Sequence, residues 1–182
     1  WLSDRSKRSQ FHQEVLLSCS LSHPCLSTVI EAGTIDDTEF VALEMLESES
    51  LSQRLVRTGK LTEQQARDLL VPIAEAMQLI HDAGVIYRDL RPQNILITTE
   101  HRPMLADVRF SEALAPNDNV TMYGLGMVTS KYIAPELFLG KSSDIGSDIY
   151  TLGATLYAAV TGREPFSSER DGINVMIAKN SA

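Results

Sequence analysis

The sequence predicts an α+β fold. A capped amphipathic helix stands near its middle, strand-like pairs flank that helix on both sides, and helices and strands come in blocks. A parallel sheet would instead show strands and helices in strict alternation.

The elements follow in order. Residues 4–18 read as a helix with Phe11, Val15 and Ser18 on one face and Glu14 beside it. His23-Pro24 ends it, because proline pushes the preceding residue out of helical space. Segments 28–35 and 39–46 read as two strands joined by the polar turn Asp36-Asp37-Thr38. Residues 47–50 read as a polar lead into a short helical stretch, 51–57, which Gly59 stops.

Thr62 with Gln65 makes a capping box. Behind it Ala66, Leu69, Leu70, Ile73, Met77 and Ile80 form one apolar face, and Gly84 stops the helix. Pro72 lies inside this helix, where it removes a backbone hydrogen bond. Segments 95–98 and 103–106 read as a hairpin around Glu100-His101-Arg102, and residues 108–130 as a long loop of the kind that usually carries function. Residues 148–161 form a last full helix with the apolar stripe Ile149, Leu152, Leu156 and Val160, ended by Gly162.

Bulk properties exclude several classes. The 182 residues fit one domain with a substantial core, and a net charge of −8 argues against a nucleic-acid surface. Cys19 and Cys25 form no CxxC pair and read as reduced, buried thiols in a cytoplasmic setting. His12, His23, His81 and His101 lack metal-ligand spacing, so surface or packing roles are expected for them. The most apolar run, 149–160, is too short to span a membrane, and no signal peptide opens the chain. A start at Trp1 suggests a fragment of a longer parent, whose own tethering is left open.

The densest chemistry is Tyr87-Arg88-Asp89-Leu90-Arg91-Pro92-Gln93-Asn94, a loop between the capped helix and the hairpin. A tight hairpin returns Asp107 towards Asn94, collecting two carboxylates and an amide at one spot. Such oxygen donors suit Mg²⁺, and Asp89 can take the proton of an attacking hydroxyl. Phosphoryl transfer needs little more than positioning and charge neutralisation. Asp and Asn also favour turns for purely structural reasons, and the eight-residue context is what favours chemistry.

Residues 87–94 resemble the catalytic loop of the eukaryotic-type protein kinase family, with tyrosine in place of the usual first histidine. Tyr132-Ile133-Ala134-Pro135-Glu136 is similar to the motif closing that family's activation segment. Ser147-Asp148-Ile149-Tyr150-Thr151-Leu152-Gly153 resembles the start of its central C-lobe helix, and Thr161-Gly162-Arg163-Glu164-Pro165-Phe166 the turn after it. Phe11-His12-Gln13-Glu14 followed by His23-Pro24 resembles the regulatory helix and its exit.

The resemblance implies a kinase-like fold, with residues 1–46 as a partial N-lobe and 47–182 as a mostly helical C-lobe, truncated after its central helix. It implies ATP and Mg²⁺ as cofactors and a protein serine/threonine substrate. Asp89 would be the base, with Arg91 near the transferred phosphate and Asn94 and Asp107 holding Mg²⁺. Glu14 would pair with the ATP-positioning lysine. Leu43, Glu44 and Leu46 would form the hinge at the adenine, with Leu96 also at the nucleotide. Arg88 would hold a phosphorylated activation loop, Asp148 would brace the catalytic loop, and Thr129 matches the serine/threonine branch.

The chain departs from the pattern in places. Asp-Phe-Gly reads Asp107-Val108-Arg109, Ser18 stands at a position usually apolar, Arg91 replaces lysine and Val128 a glycine. Neither the glycine-rich phosphate loop nor the third-strand lysine occurs; Gly124-Leu125-Gly126 is only loop glycine. A pseudokinase that binds partners without efficient transfer is therefore the alternative expectation. Small-molecule kinases of the same fold seldom carry an Ala-Pro-Glu segment.

Overall fold

A computed structural model describes residues 15–16, 19–36, 38–106, 131–168 and 172–180. Residues 15–16 and 19–20 are helical, within or just beyond the first expected helix. Strands β1 (Val29–Ile35) and β2 (Thr38–Leu43) pair antiparallel as a sheet of their own. Asp36 takes a left-handed φ of 47° at their turn, which aspartate tolerates better than most residues.

The polar residues 48–50, expected as a connector, instead form a strand. This β3 (Ser48–Ser50) pairs antiparallel with β4 (Ile95–Thr98), which pairs with β5 (Pro103–Leu105), giving the order β3-β4-β5. As an edge strand β3 needs backbone pairing on one side, and its polar side chains cost nothing there.

Helix α1 (Leu51–Thr58) starts from Ser50, whose hydroxyl accepts the Gln53 amide while the Gln53 side chain accepts the Ser50 amide. Helix α2 (Glu63–Asp82) starts from the expected Thr62/Gln65 box, with both bonds present. Its predicted face is buried throughout, with Ala76 added, and it forms the main core with Leu51, Leu61, Val85, Leu90, Ile95, Ile97 and Leu105. The helix runs on through Pro72, and the carbonyl this frees belongs to exposed Asp68, where water can satisfy it.

A short helix α3 (Pro135–Phe138) precedes α4 (Ile145–Thr161), which Asp144 caps through the Ser147 amide. The apolar stripe of α4 does not form its packed face. Ile149 is 61% exposed, Leu156 43% and Val160 36%, and of the four Leu152 alone packs partly against the core. The buried face is Ser147, Asp148, Thr151, Thr155, Ala158 and Ala159. These small and hydrogen-bonding residues let α4 approach loop backbone that large apolar side chains would leave unsatisfied. Gly162 ends α4 in the left-handed conformation, and α5 (Gly172–Asn180) follows.

Cys25 is buried and free, as expected, while Cys19 is exposed, which corrects the expectation of two buried thiols. The Cys25 carbonyl accepts the Leu105 amide at 2.8 Å, beside a Leu26–Leu105 bridge, and this draws it into the core. Cys19, helical with its exposed neighbour Ser20, has no such tie to the sheet among the described residues. Among the described residues, no helix is long and apolar enough to cross a membrane.

Candidate active site

The loop 87–94 runs from the end of α2 into β4 through a short 3₁₀ turn, Pro92–Asn94. Its first residues are held from below by α4. Asp148, fully buried, accepts the Tyr87 amide at Oδ2 and the Arg88 amide at Oδ1, each at 2.7 Å. His81 Nε2 reaches the same Oδ2 at 2.8 Å. Arg88 takes a left-handed φ of 68°, a strained conformation for a side chain with a Cβ; its own amide is fixed by Asp148, and the Asp89 amide donates to the Tyr87 carbonyl at 3.0 Å across it.

These anchors leave Asp89 at the surface, its side chain 52% exposed. Asn94 Nδ2 donates to Asp89 Oδ2 at 2.8 Å and to the Asp89 carbonyl at 2.7 Å. Arg91 Nε lies 3.1 Å from Asp89 Oδ1. Asp89, Arg91 and Asn94 are thus brought together, and the carboxylate has one oxygen against an amide and the other against a guanidinium. Both bonds of Asn94 use its nitrogen, so its Oδ1 is the atom of hard-cation character.

The hairpin closes the site. Leu96 faces Met104 across the β4–β5 pair, and Ala106 donates its amide to the Asn94 carbonyl at 2.8 Å. Tyr87, 5% exposed, donates its hydroxyl to the Ala106 carbonyl at 2.7 Å. The tyrosine that opens the loop therefore pins the residue just before Asp107. Asp107 itself, with Glu14, Ser18, Val108, Arg109, Val128 and Thr129, lies outside the described residues. Among the described residues no cluster of three or more His, Cys, Asp or Glu could hold a metal.

Leu43 closes β2, and Glu44 and Leu46 lie in the connector 44–47. Glu44 is fixed at both ends: its amide donates to the Thr28 carbonyl at 3.0 Å, and its Oε1 accepts the Thr28 amide at 3.2 Å. The connector runs into β3, where Ser50 pairs with Leu96, so the 44–47 stretch and the hairpin share a sheet margin.

His81 was expected to have an ordinary surface or packing role and instead ties α2 to Asp148. Its spacing carried no signal, since its partner lies 67 residues away. The Ser50/Gln53 box was missed too, although its Ser-x-x-Gln pattern is the usual signature.

Residues 2–181 match the model of the protein kinase domain. The chain belongs to the protein kinase domain family. It is 34% identical over 173 residues to the probable serine/threonine-protein kinase PknB of Corynebacterium glutamicum, covering 91% of this chain and 26% of that protein. It is 35% identical over 174 residues to the serine/threonine-protein kinase PknA of Mycobacterium tuberculosis, covering 92% of this chain and 40% of that protein. The chain thus spans well under half the length of these relatives. The expected α+β, partial kinase-like fold agrees with the family match and the small antiparallel sheets.

Proposed function

We propose that this chain is the catalytic portion of a serine/threonine protein kinase, moving the γ-phosphoryl group of ATP to a protein hydroxyl. The observation that carries this reading is the Asn94–Asp89–Arg91 constellation, held on backbone that Asp148 pins. Residues 1–46 then belong to the N-lobe and 47–182 to the C-lobe.

Asp89 accepts the proton of the substrate hydroxyl. Its Oδ2 is oriented by Asn94 and its exposed face is open to a substrate. Arg91 supplies positive charge beside the transferred group. Asn94 Oδ1 and Asp107 would hold Mg²⁺, a donor set of hard oxygens that suits this ion. Bound Mg²⁺ supplies charge neutralisation on the phosphates. Leu43, Glu44, Leu46 and Leu96 would border ATP, and Glu14 would pair with a lysine upstream. The proposed partner is a protein with an accessible serine or threonine.

Asp107-Val108-Arg109 favours a second reading, a pseudokinase scaffold, because Arg109 replaces a glycine with bulk and charge. Transfer of labelled γ-phosphate by the full-length parent with Mg²⁺, beside its Asp89→Asn variant, separates the two. Incorporation that the variant abolishes upholds the kinase. No incorporation by folded parent protein leaves the scaffold.

A further inference from the structure

Lys179, on α5, is 8% exposed, although a buried ammonium costs several kcal/mol unless it is well partnered. Its Nζ lies 5.3 Å from the centre of the Phe138 ring, 5.2 Å from Tyr150 and 5.3 Å from Phe166. Three rings from three parts of the chain thus surround one cation at cation–π range. The ammonium also donates to the backbone carbonyl of Ile133. Burial lowers its pKa to about 8, against the opposing attraction of Glu136.

A methionine would fill the same aromatic cage without that desolvation cost. Methionine keeps the packing but gives neither the charge facing the rings nor the bond to Ile133, and it is the bond that ties Lys179 to the backbone of another segment. That carbonyl belongs to residues 131–134, which have no helical or strand ladder of their own and are all buried. Their other end is held the same way, by Lys131 Nζ on Glu164 Oε2 at 2.8 Å. The stretch therefore hangs between two lysine bonds, one to the turn after α4 and one from α5.

We propose that Lys179 is a positioning residue whose caged ammonium holds residues 131–134, through the Ile133 carbonyl, in the arrangement that receives the protein substrate. Holding the segment stands on the geometry alone, while the role towards substrate rests on the kinase reading above, since Tyr132 of this segment lies close enough to Arg91, the ion-pair partner of Asp89, to feel its charge. Lys131 and Lys179 make residues 131–134 a strap fixed at both ends.

The test uses the full-length parent and its Lys179→Met and Lys179→Arg variants. Steady-state kinetics are measured with a basic protein substrate and with ATP, together with thermal unfolding and hydrogen exchange of amides 131–134. In Lys179→Met, KM for the protein substrate is expected to rise about tenfold, the scale of one lost hydrogen bond from a charged donor. KM for ATP and Tm should stay near wild type, exchange at 131–134 should quicken, and Lys179→Arg should recover most of the loss. Unchanged protein KM and unchanged exchange would overturn the proposal, as would a fall in Tm with both KM values worsened alike. If the wild-type parent transfers no phosphate, the kinase reading fails by itself. Exchange then decides the strap: quicker in Lys179→Met upholds it, unchanged overturns it.

Discussion

His81 and Asp148 meet at 2.8 Å although 67 residues separate them, and both are nearly sealed from solvent, at 7% and 0% side-chain exposure. Through this contact α2 and α4 share one carboxylate, and the same carboxylate holds the Tyr87 and Arg88 amides. The loop that carries Asp89 is therefore hung on a buried polar node rather than on apolar packing alone. Such nodes are costly to leave half-satisfied.

Asp148→Asn should be one of the most damaging conservative changes in the chain. Asparagine offers one acceptor oxygen where three N–H groups now converge, and its amide would face a donor. A stability loss of about 3 kcal/mol is expected in urea unfolding, the scale for leaving buried hydrogen-bond donors without an acceptor. The left-handed Arg88 would also lose a full acceptor for its amide.

Two glycines of one helix should respond in opposite directions to alanine. Gly162 has φ +69°, and an added Cβ would sit 2.5 Å from the Gly59 carbonyl oxygen. Gly162→Ala should cost about 2 kcal/mol or more. Gly153 lies inside α4 with nothing within 4 Å of such a Cβ, so Gly153→Ala should stabilise by about 0.5–1 kcal/mol. Thermal unfolding of the two variants checks both signs.

The two capping boxes should be separable. Ser50→Ala and Thr62→Ala each remove the oxygen that accepts an N3 amide, and each should cost about 1 kcal/mol. Denaturant midpoints at constant m-value measure these losses.

Alkaline pH should act in two opposed ways. Lys179 gives up its proton near pH 8 in the folded state and near 10.5 when unfolded, so the unfolded chain holds more protons between these values. Its contribution to stability therefore rises with pH across that window. Burial, aided by Glu75, pushes the Cys25 thiol up to about 11 from its ordinary 9.0, against a weaker opposing pull from Arg102. There the folded chain holds more protons, and stability falls as pH climbs from 9 to 11. Burial also raises Tyr132, which adds to the fall above pH 10. Urea midpoints should show the rise from pH 8 to 9 disappear in Lys179→Met, and the fall above pH 9 lessen in Cys25→Ala.

What the sequence by itself determined is local. The Thr62/Gln65 box closes within three residues, the α2 face repeats at the helical period, and Glu100-His101-Arg102 leaves β4 and β5 little choice but to pair. The loop 87–94 was legible as a candidate site because its polar residues are contiguous, and the side chains of Asp89, Arg91 and Asn94 do converge. Tertiary structure alone decided the rest. Periodicity counts apolar residues and cannot say which face of α4 meets a loop, so the polar and small face was the one buried. Residues 48–50 became a strand because β4 offered an edge, not through their own propensity. His81 on Asp148 and Lys179 on Ile133 are contacts across 67 and 46 positions. At such distances, chain folding places polar groups opposite one another, and desolvation requires that they be paired.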